Sequence, residues 1–404
     1  GGLSRGGVRL VEQVERRLNI TPWLSPPNTN NELLRKGAVA LGIEAHAIHR
    51  NVKACWNLGS CGMGCPTNAK QSMLVTTIPA ALDLGARLLT ETRAQDFELE
   101  QGRIVALNCV AVTPNGEARP ERRLRIVAKH YVVAGGAINS PALLLRSRLP
   151  DPHGLLGRRT FLHPVVISAA VFDHAVEGWN GAPQTLYSDH FLNVAPIDGP
   201  IGFKLEAPPI HPVIFSTTLP GHGPEQADLL RQFAATHSLL ALMRDGFHAQ
   251  SVGGRVRLNP DGSPLLDYPL NDFVMDGARR AFLAMAEIQF AAGARFVLPV
   301  HEQAPRSLTW PQAREVIAAL PMKPLLTRVV SAHVMGGCGM AGRETLGVVR
   351  PDGVHWQVDN LSVHDGSIFP TSIGANPQLS VYGFANRLAS GLVRRLAGRA
   401  VDLA

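Results

Sequence analysis

Near its end the chain reads Ser331-Ala332-His333-Val334-Met335-Gly336-Gly337-Cys338, then Val363-His364-Asp365-Gly366-Ser367-Ile368-Phe369-Pro370-Thr371, then Gly374-Ala375-Asn376-Pro377-Gln378. A histidine, an Asp-Gly-Ser turn and an Asn-Pro turn thus precede an apolar helical pattern. Each feature alone has an ordinary explanation, because the chain holds 15 histidines and an asparagine before proline usually marks a turn. Their combination in this order indicates a functional site.

This order and spacing resemble the C-terminal signature of the glucose–methanol–choline (GMC) oxidoreductases, which use FAD to oxidise alcohols. The resemblance implies that His333 is the base that removes the hydroxyl proton and that Asn376 hydrogen-bonds the substrate oxygen. It also implies that Asp365 and Gly366 approach the ribityl–pyrophosphate part of FAD. The pyrimidine edge of the flavin would then meet Asn376, Pro377 and Gln378.

Other histidines lie close to these signatures. His163 follows the segment Leu156-Gly157-Arg158, which resembles the transition of the family into its substrate domain, and His355 and His364 lie near the Asp-Gly-Ser turn. All three fall outside the catalytic positions of the family. We therefore expect them to serve as controls for the substitution of His333.

A second signature is Tyr131-Val-Val-Ala-Gly135-Gly136-Ala-Ile-Asn139-Ser140-Pro141, in which an apolar strand runs through small residues into a helix. Small residues let the backbone approach a dinucleotide, so the resemblance makes Gly135 a cofactor contact. Ser140 is expected to cap the helix, with Pro141 in its first turn. A plain strand–turn–helix of any α/β protein would show the same pattern. Ala94, in Leu89-Thr-Glu-Thr-Arg93-Ala94, resembles the strand position whose backbone holds the adenine.

Cys55, Cys61 and Cys65 lie in a glycine-rich segment that carries no regular periodicity. Their spacing lacks the two close pairs of a structural zinc site and the four thiolates of an iron–sulfur site. We therefore expect no metal, although an electron-transfer subunit with a metal at these cysteines remains an alternative. A similar Cys-Gly segment ahead of Ala69-Lys-Gln-Ser72 occurs in the long-chain-alcohol branch of the GMC family, where it lies over the flavin.

The resemblance implies an α/β fold, in which an FAD-binding domain of the glutathione-reductase type joins a second α+β substrate domain built on a six-stranded antiparallel sheet. We assign residues 1–163 to the FAD-binding domain, 164–325 to the substrate domain and 326–404 to a return segment. Within the middle region, 165–172 and 213–217 read as strands, Asp272–Ala291 as a helix, and 255–267 as a hairpin. Asn31 is expected to cap a helix over 32–41.

The composition argues against several other classes of protein. The chain has 404 residues, 45% hydrophobic and 18% charged, which suits a globular protein with a sizeable core. The net charge of +7 is spread over scattered arginines, without the basic stripe of a nucleic-acid-binding protein. No run of 18 apolar residues predicts a membrane span. The five cysteines are few and odd in number, which favours a reducing compartment and hence the cytoplasm.

The chain starts Gly1-Gly2-Leu3, without a methionine or the apolar core of a signal peptide. The glycine loop that binds pyrophosphate in such folds is not found, and we expect it in a preceding region that is missing. A periplasmic location stays open for that reason. Residues 1–404 alone are expected to hold FAD weakly or not at all, so a non-catalytic remnant is the main alternative.

The expected partner is a small-molecule alcohol. A low aromatic content of 6% and an apolar middle region lean towards a hydrophobic alcohol or sterol over a sugar. The sequence leaves the electron acceptor open among oxygen, a quinone and a cytochrome.

Overall fold

A computed structural model describes residues 5–398, so the expectation about the start of the chain lies outside the described residues. The helices are α1 Arg5–Arg17, α2 Thr29–Ala40, α3 Thr77–Asp83, α4 Gly136–Arg146, α5 Pro212–Thr218, α6 Gly223–Arg231, α7 Asp272–Ala291, α8 Trp310–Ala319 and α9 Gln378–Ala397. Short 3₁₀ turns span His190–Leu192, Phe233–Ala235 and Gly366–Ile368.

The strands fall into five sheets. In chain order they are β1 Ile20–Pro22, β2 His46–Ala47, β3 His49–Asn51, β4 Thr92–Glu100, β5 Arg103–Val112, β6 Ala118–Ile126, β7 Tyr131–Val133, β8 Arg158–Phe161, β9 Val165–Val171, β10 Leu186–Ser188, β11 Phe203–Glu206, β12 Thr236–Met243, β13 Gly254–Leu258, β14 Pro264–Asp267, β15 Phe296–Pro299, β16 Met335–Gly336 and β17 Leu361–Val363.

The largest sheet has six strands in the order β15-β9-β12-β11-β10-β2, and every pairing in it is antiparallel. Helix α7 packs along this sheet, where Met275, Phe282 and Met285 are fully buried in its main hydrophobic cluster. The helix has the predicted bounds because Asn271 caps it, accepting a hydrogen bond from the backbone N–H of Val274. The antiparallel six-stranded sheet expected from the resemblance is therefore present.

The part expected to bind the nucleotide is built around the parallel pair β7 and β17. Helix α4 and the meander β4-β5-β6 pack beside it, and their apolar side chains form a second cluster that includes Tyr131, Leu144 and Val363. Asn360 ties the meander to β17, because its side chain accepts from the N–H of Ile104 at 3.0 Å and donates to the same residue's carbonyl at 2.8 Å.

A four-stranded sheet in the order β14-β13-β8-β16 joins the two parts. Strand β2 pairs with β10 and helix α2 contacts α7, so early segments of the chain also pack against the large sheet. The division of the chain at residues 163 and 325 stays a prediction.

The structure corrects three local predictions. Residues 213–217 lie in helix α5, since Pro212 starts a turn in which Thr217 and Thr218 hydroxyls donate back to backbone carbonyls. Asn28, not Asn31, caps α2, and its side chain accepts from the N–H of Asn31. Helix α4 starts at Gly136, so Ser140 lies inside it.

Candidate functional site

Pairing between β8 and β16 positions the predicted base. Met335 lies opposite Phe161 in an antiparallel register, so a residue two positions before Met335 faces a residue two positions after Phe161. His333 and His163 are these residues, and their Nδ1 atoms are 3.1 Å apart with the rings stacked at 5.2 Å between centroids. Gly336 permits the close pairing, because a Cβ there would lie 2.0 Å from the carbonyl oxygen of Arg159.

His333 is half-buried in this pair. Burial lowers its pKa from the ordinary value, the carboxylate of Glu206 raises it and the ammonium of Lys204 lowers it. The imidazole is therefore neutral near pH 7, which is the protonation state that a general base requires.

Asn376 contacts the same charged groups. Its Oδ1 accepts a hydrogen bond from Lys204 Nζ at 2.9 Å, and its Nδ2 donates to Glu206 Oε2 at 3.4 Å. An ammonium has no acceptor, so Oδ1 must face Lys204 and the NH₂ group must face the other way. The orientation of the Asn376 amide as a donor thus follows from Lys204.

Lys204 and Glu206 form a buried ion pair on β11, with Nζ and Oε1 2.9 Å apart and side-chain exposures of 10% and 0%. Tyr187 and Gln184 complete its surroundings: Lys204 Nζ lies 4.2 Å from the Tyr187 ring centroid, and Gln184 donates to Glu206 Oε2 at 2.7 Å. We name Lys204, Glu206, Asn376, His333 and His163 the polar cluster.

Sequence reasoning missed the ion pair. The signal in the sequence is a lysine and a glutamate two positions apart, in the strand Phe203–Glu206. All four residues of this strand are buried. Side chains at i and i+2 lie on the same face of a strand, so such a pair in a buried strand indicates a polar site.

His163 is expected from the sequence to serve as a control, but the structure places it against the predicted base. Its ring contacts His333 directly because the register of β8 and β16 brings two distant segments together. His355 lies elsewhere, and its Nδ1 accepts from the N–H of Gln357 at 3.2 Å. His355 and His364 therefore remain suitable controls, because within residues 5–398 neither side chain hydrogen-bonds a member of the polar cluster.

Asp365 links the end of β17 to the start of α4. Its Oδ2 accepts from the N–H of Gly136 at 2.9 Å and from the hydroxyl of Ser140 at 2.5 Å, while its Oδ1 accepts from the N–H of Ser367 at 2.8 Å. Ser140 Oγ also accepts from the N–H of Gly135 at 2.9 Å, which is its role in place of the predicted helix cap. A Cβ at the next residue, Gly366, would lie 3.7 Å from the carbonyl oxygen of Val334, the residue after the predicted base.

Ala94 and Gly135 line one cavity of about 750 Å³. Its other walls come from β5, β7, α4 and the β13–β14 turn, and Arg146 crosses it to donate to the carbonyl of Gln95 at 2.9 Å. A volume of this size suits the adenine-bearing half of a dinucleotide. Backbone and small residues in its wall allow the close approach that FAD needs, so the residues present fit that cofactor.

Asn376, Pro377 and Gln378 lie where α9 begins, with Pro377 as the residue before its first turn. The N-terminus of a helix of 20 residues carries a partial positive charge. Gln378 is exposed and donates to the hydroxyl of Tyr382 at 2.7 Å. This arrangement suits contact with the pyrimidine edge of a flavin, which becomes more negative on reduction.

Arg50 joins the cysteine segment to the loop before β10, because it bonds the carbonyl of Pro183 and lies 3.7 Å from Cys61 Sγ. Backbone hydrogen bonding at Lys70 is the main cause that lowers the pKa of Cys65 to about 7. Within residues 5–398, no three His, Cys, Asp or Glu side chains are placed to hold a metal ion.

Two family models described as GMC oxidoreductase match residues 5–165 and 249–385. A GMC-type oxidoreductase of Sinorhizobium fredii is 28% identical over 93% of this chain and 71% of its own length. A long-chain-alcohol oxidase of Arabidopsis thaliana is 28% identical over 93% of this chain and 52% of its own length. The structure of formate oxidase from Aspergillus oryzae shares the fold, with a TM-score of 0.67 at 13% identity over 92% of this chain and 71% of the other.

The chain belongs to the GMC oxidoreductase family. The predicted family and fold class are confirmed, and so are FAD as the cofactor of the family and oxidation of CH–OH donors as its reaction. The chain spans 71% of the length of the Sinorhizobium relative and 52% of the length of the Arabidopsis relative. In residues 5–398, no helix has the length and hydrophobicity to cross a membrane.

Proposed function

We infer that this protein is an FAD-dependent oxidoreductase that converts the CH–OH group of a small alcohol to an aldehyde or ketone. The observation that carries the proposal is the polar cluster, in which a neutral imidazole and an oriented amide share the ion pair of Lys204 and Glu206. FAD, when bound, supplies the two-electron acceptor that receives the hydride from the carbinol carbon.

His333 acts as the general base. It takes the hydroxyl proton, which leaves the electron pair on oxygen to form the carbonyl as the carbon–hydrogen bond breaks. Asn376 donates its NH₂ group to the substrate oxygen and stabilises the negative charge that develops there. Because Lys204 holds Asn376 Oδ1 at 2.9 Å, the amide is already turned for this donation before substrate binds.

The cofactor would be held by residues from three segments: Ala94, Gly135, Asp365, Gly366, Asn376, Pro377 and Gln378. The adenine would contact the backbone near Ala94, in the cavity that Gly135 also lines. Asp365 fixes the start of α4 and the turn at Gly366. The start of α9 would meet the flavin ring.

We favour a hydrophobic alcohol as substrate. The apolar middle region supports this choice, and the plant relatives named long-chain-alcohol oxidases are similar over most of this chain. The electron acceptor is left open among oxygen, a quinone and a cytochrome. Five free cysteines among the described residues favour the cytoplasm as the location.

The test is anaerobic stopped-flow reduction of the flavin in the purified flavoenzyme. His333→Ala should slow flavin reduction about 10²–10⁴-fold, the usual contribution of a general base, and lower kcat and kcat/KM together. Asn376→Ala should slow it about 10²–10³-fold, as for one lost oxyanion donor. His355→Ala and His364→Ala are the matched controls, and a wild-type rate in His333→Ala would show that the base is another residue.

A further inference from the structure

The 3.1 Å approach of the two Nδ1 atoms requires one of them to carry a proton and the other to offer a lone pair. A neutral imidazole has one N–H, on either Nδ1 or Nε2. The pair therefore has two arrangements. Either His333 donates from Nδ1 to His163, or His163 donates from Nδ1 to His333.

These arrangements differ in what His333 can do. When His333 donates from Nδ1, its Nε2 bears a lone pair that is free to take a proton. When His163 donates, the single N–H of His333 is on Nε2, and that nitrogen cannot act as a base. The chemistry of the site thus depends on the tautomer that His163 selects.

The placement of His163 is specific. Its side chain is fully buried, and its backbone adopts φ 52°, a left-handed conformation that residues with a Cβ rarely hold. Asp245 stabilises that conformation by accepting the His163 backbone N–H on Oδ1 at 3.1 Å, and Tyr268 in turn donates to Asp245 Oδ2 at 2.7 Å. Strained backbone that is held by buried contacts is typical of functional positions.

The surroundings keep the ring of His163 neutral. Burial is the main cause that lowers its pKa to about 3, and the charges of His333 and Lys204 lower it further. The charged groups around the pair are Lys204 and Glu206 from β11 and Asp245 from the loop after β12. The carboxylate of Asp245 accepts from the backbone N–H of His163 and does not bond its ring. A neutral acceptor next to His333 also stabilises its imidazolium form through the same hydrogen bond.

We propose that His163 is a positioning residue whose Nδ1 accepts a hydrogen bond from Nδ1–H of His333, so that His333 Nε2 is free to act as the base. The single proton of His163 is then on its Nε2, which is buried and has no hydrogen-bond partner within residues 5–398. This inference rests on the proposed function. It gives His163 a role comparable to that of the third member of a catalytic triad, with a neutral ring in place of a carboxylate.

The test compares two substitutions in the purified flavoenzyme. In His163→Asn the amide oxygen takes the place of Nδ1 and keeps the acceptor, whereas His163→Leu removes it. His163→Leu should slow anaerobic flavin reduction about 10²-fold with little change in alcohol binding, and it should move the midpoint of the rate–pH profile to lower pH. His163→Asn should restore both the midpoint and most of the rate.

A second measurement uses the unaltered enzyme, so it stands even if the leucine variant does not fold. Nitrogen-15 NMR of histidine-labelled enzyme, assigned with His333→Gln, should show His333 protonated on Nδ1. Protonation on Nε2 overturns the proposal. It is also overturned if His163→Leu keeps its rate, or if both variants are equally slow with an unmoved pH midpoint, which indicates a purely structural role.

The same series separates the two hypotheses. If His333→Gln reduces its flavin at the wild-type rate, the base assignment is wrong and the role of His163 is wrong with it. If His333→Gln is slow while His163→Leu is not, only the role of His163 is refuted.

Discussion

Lys204→Met removes one partner of the buried ion pair and leaves the carboxylate of Glu206 without its cation. Glu206 has no exposed side-chain surface, and its remaining polar contacts are neutral amides, Gln184 at 2.7 Å and Asn376 at 3.4 Å. An uncompensated buried charge of this kind destabilises a protein by about 3–5 kcal/mol. The double variant Lys204→Met/Glu206→Gln leaves no uncompensated buried charge, so its free energy of unfolding should fall much less than that of Lys204→Met.

Urea unfolding followed by tryptophan fluorescence measures these free energies, and the cycle of two single variants and the double variant gives the coupling energy. A matched control is the pair of Arg257 and Asp267, 3.2 Å apart but with exposures of 56% and 57%. Arg257→Met should cost less than about 1 kcal/mol.

The same substitution tests the orientation of Asn376. Without Lys204 only the 3.4 Å bond from Asn376 Nδ2 to Glu206 orients the amide, and flavin reduction should slow by up to about 10²-fold. A loss of stability below about 1 kcal/mol in Lys204→Met, as small as in the exposed control, would refute the reasoning, because it would mean that the ion pair is hydrated.

Further predictions address the strand pairing, the buried histidines and the cysteines. Gly336→Ala should destabilise the protein by more than about 1 kcal/mol and slow flavin reduction, because its Cβ would meet a backbone oxygen at 2.0 Å, whereas Gly339→Ala, with open space around it, should do neither. Burial lowers the pKa of His163 and of His237 to about 3, so the unfolded chain binds protons first as pH falls below about 6.5. Each of these two histidines should therefore lower the free energy of unfolding by about 2 kcal/mol between pH 7 and pH 5, and His237→Gln should reduce the total loss in urea titrations by that amount. Cys65, with its pKa near 7, should react with iodoacetamide at pH 7 well before buried Cys109, as peptide mass mapping would show, and elemental analysis should find no stoichiometric zinc or iron.

Local signals in the sequence predicted some elements well. Helix α7 has the bounds predicted from its long apolar period, and the structure adds the capping asparagine, Asn271. The short apolar run 213–217 predicts a strand but forms helix α5, because a run of that length has no clear period and only its preceding proline indicates a helix. Elements whose signal is long and local were therefore predictable, and short ones were not.

The candidate site shows the same limit. The resemblance supplied His333 and Asn376, but the contact between His333 and His163 depends on a strand register that joins positions 170 residues apart. Lys204 and Glu206 belong to a strand whose neighbours in the sheet could not be read from the sequence. Contacts that depend on the pairing of distant strands therefore could not be predicted from the sequence alone.

The four-stranded sheet that carries the base has a consequence for folding kinetics. Its strands come from residues 158–161, 254–267 and 335–336, and the pair of histidines is assembled only when the first and the last of these remote stretches meet. Closing loops of this length is entropically unfavourable, and contacts of large sequence separation form slowly. Native contacts at the base should thus appear late during refolding, after the helical hydrogen bonds of α7, and amide exchange in β16 should acquire its protection last.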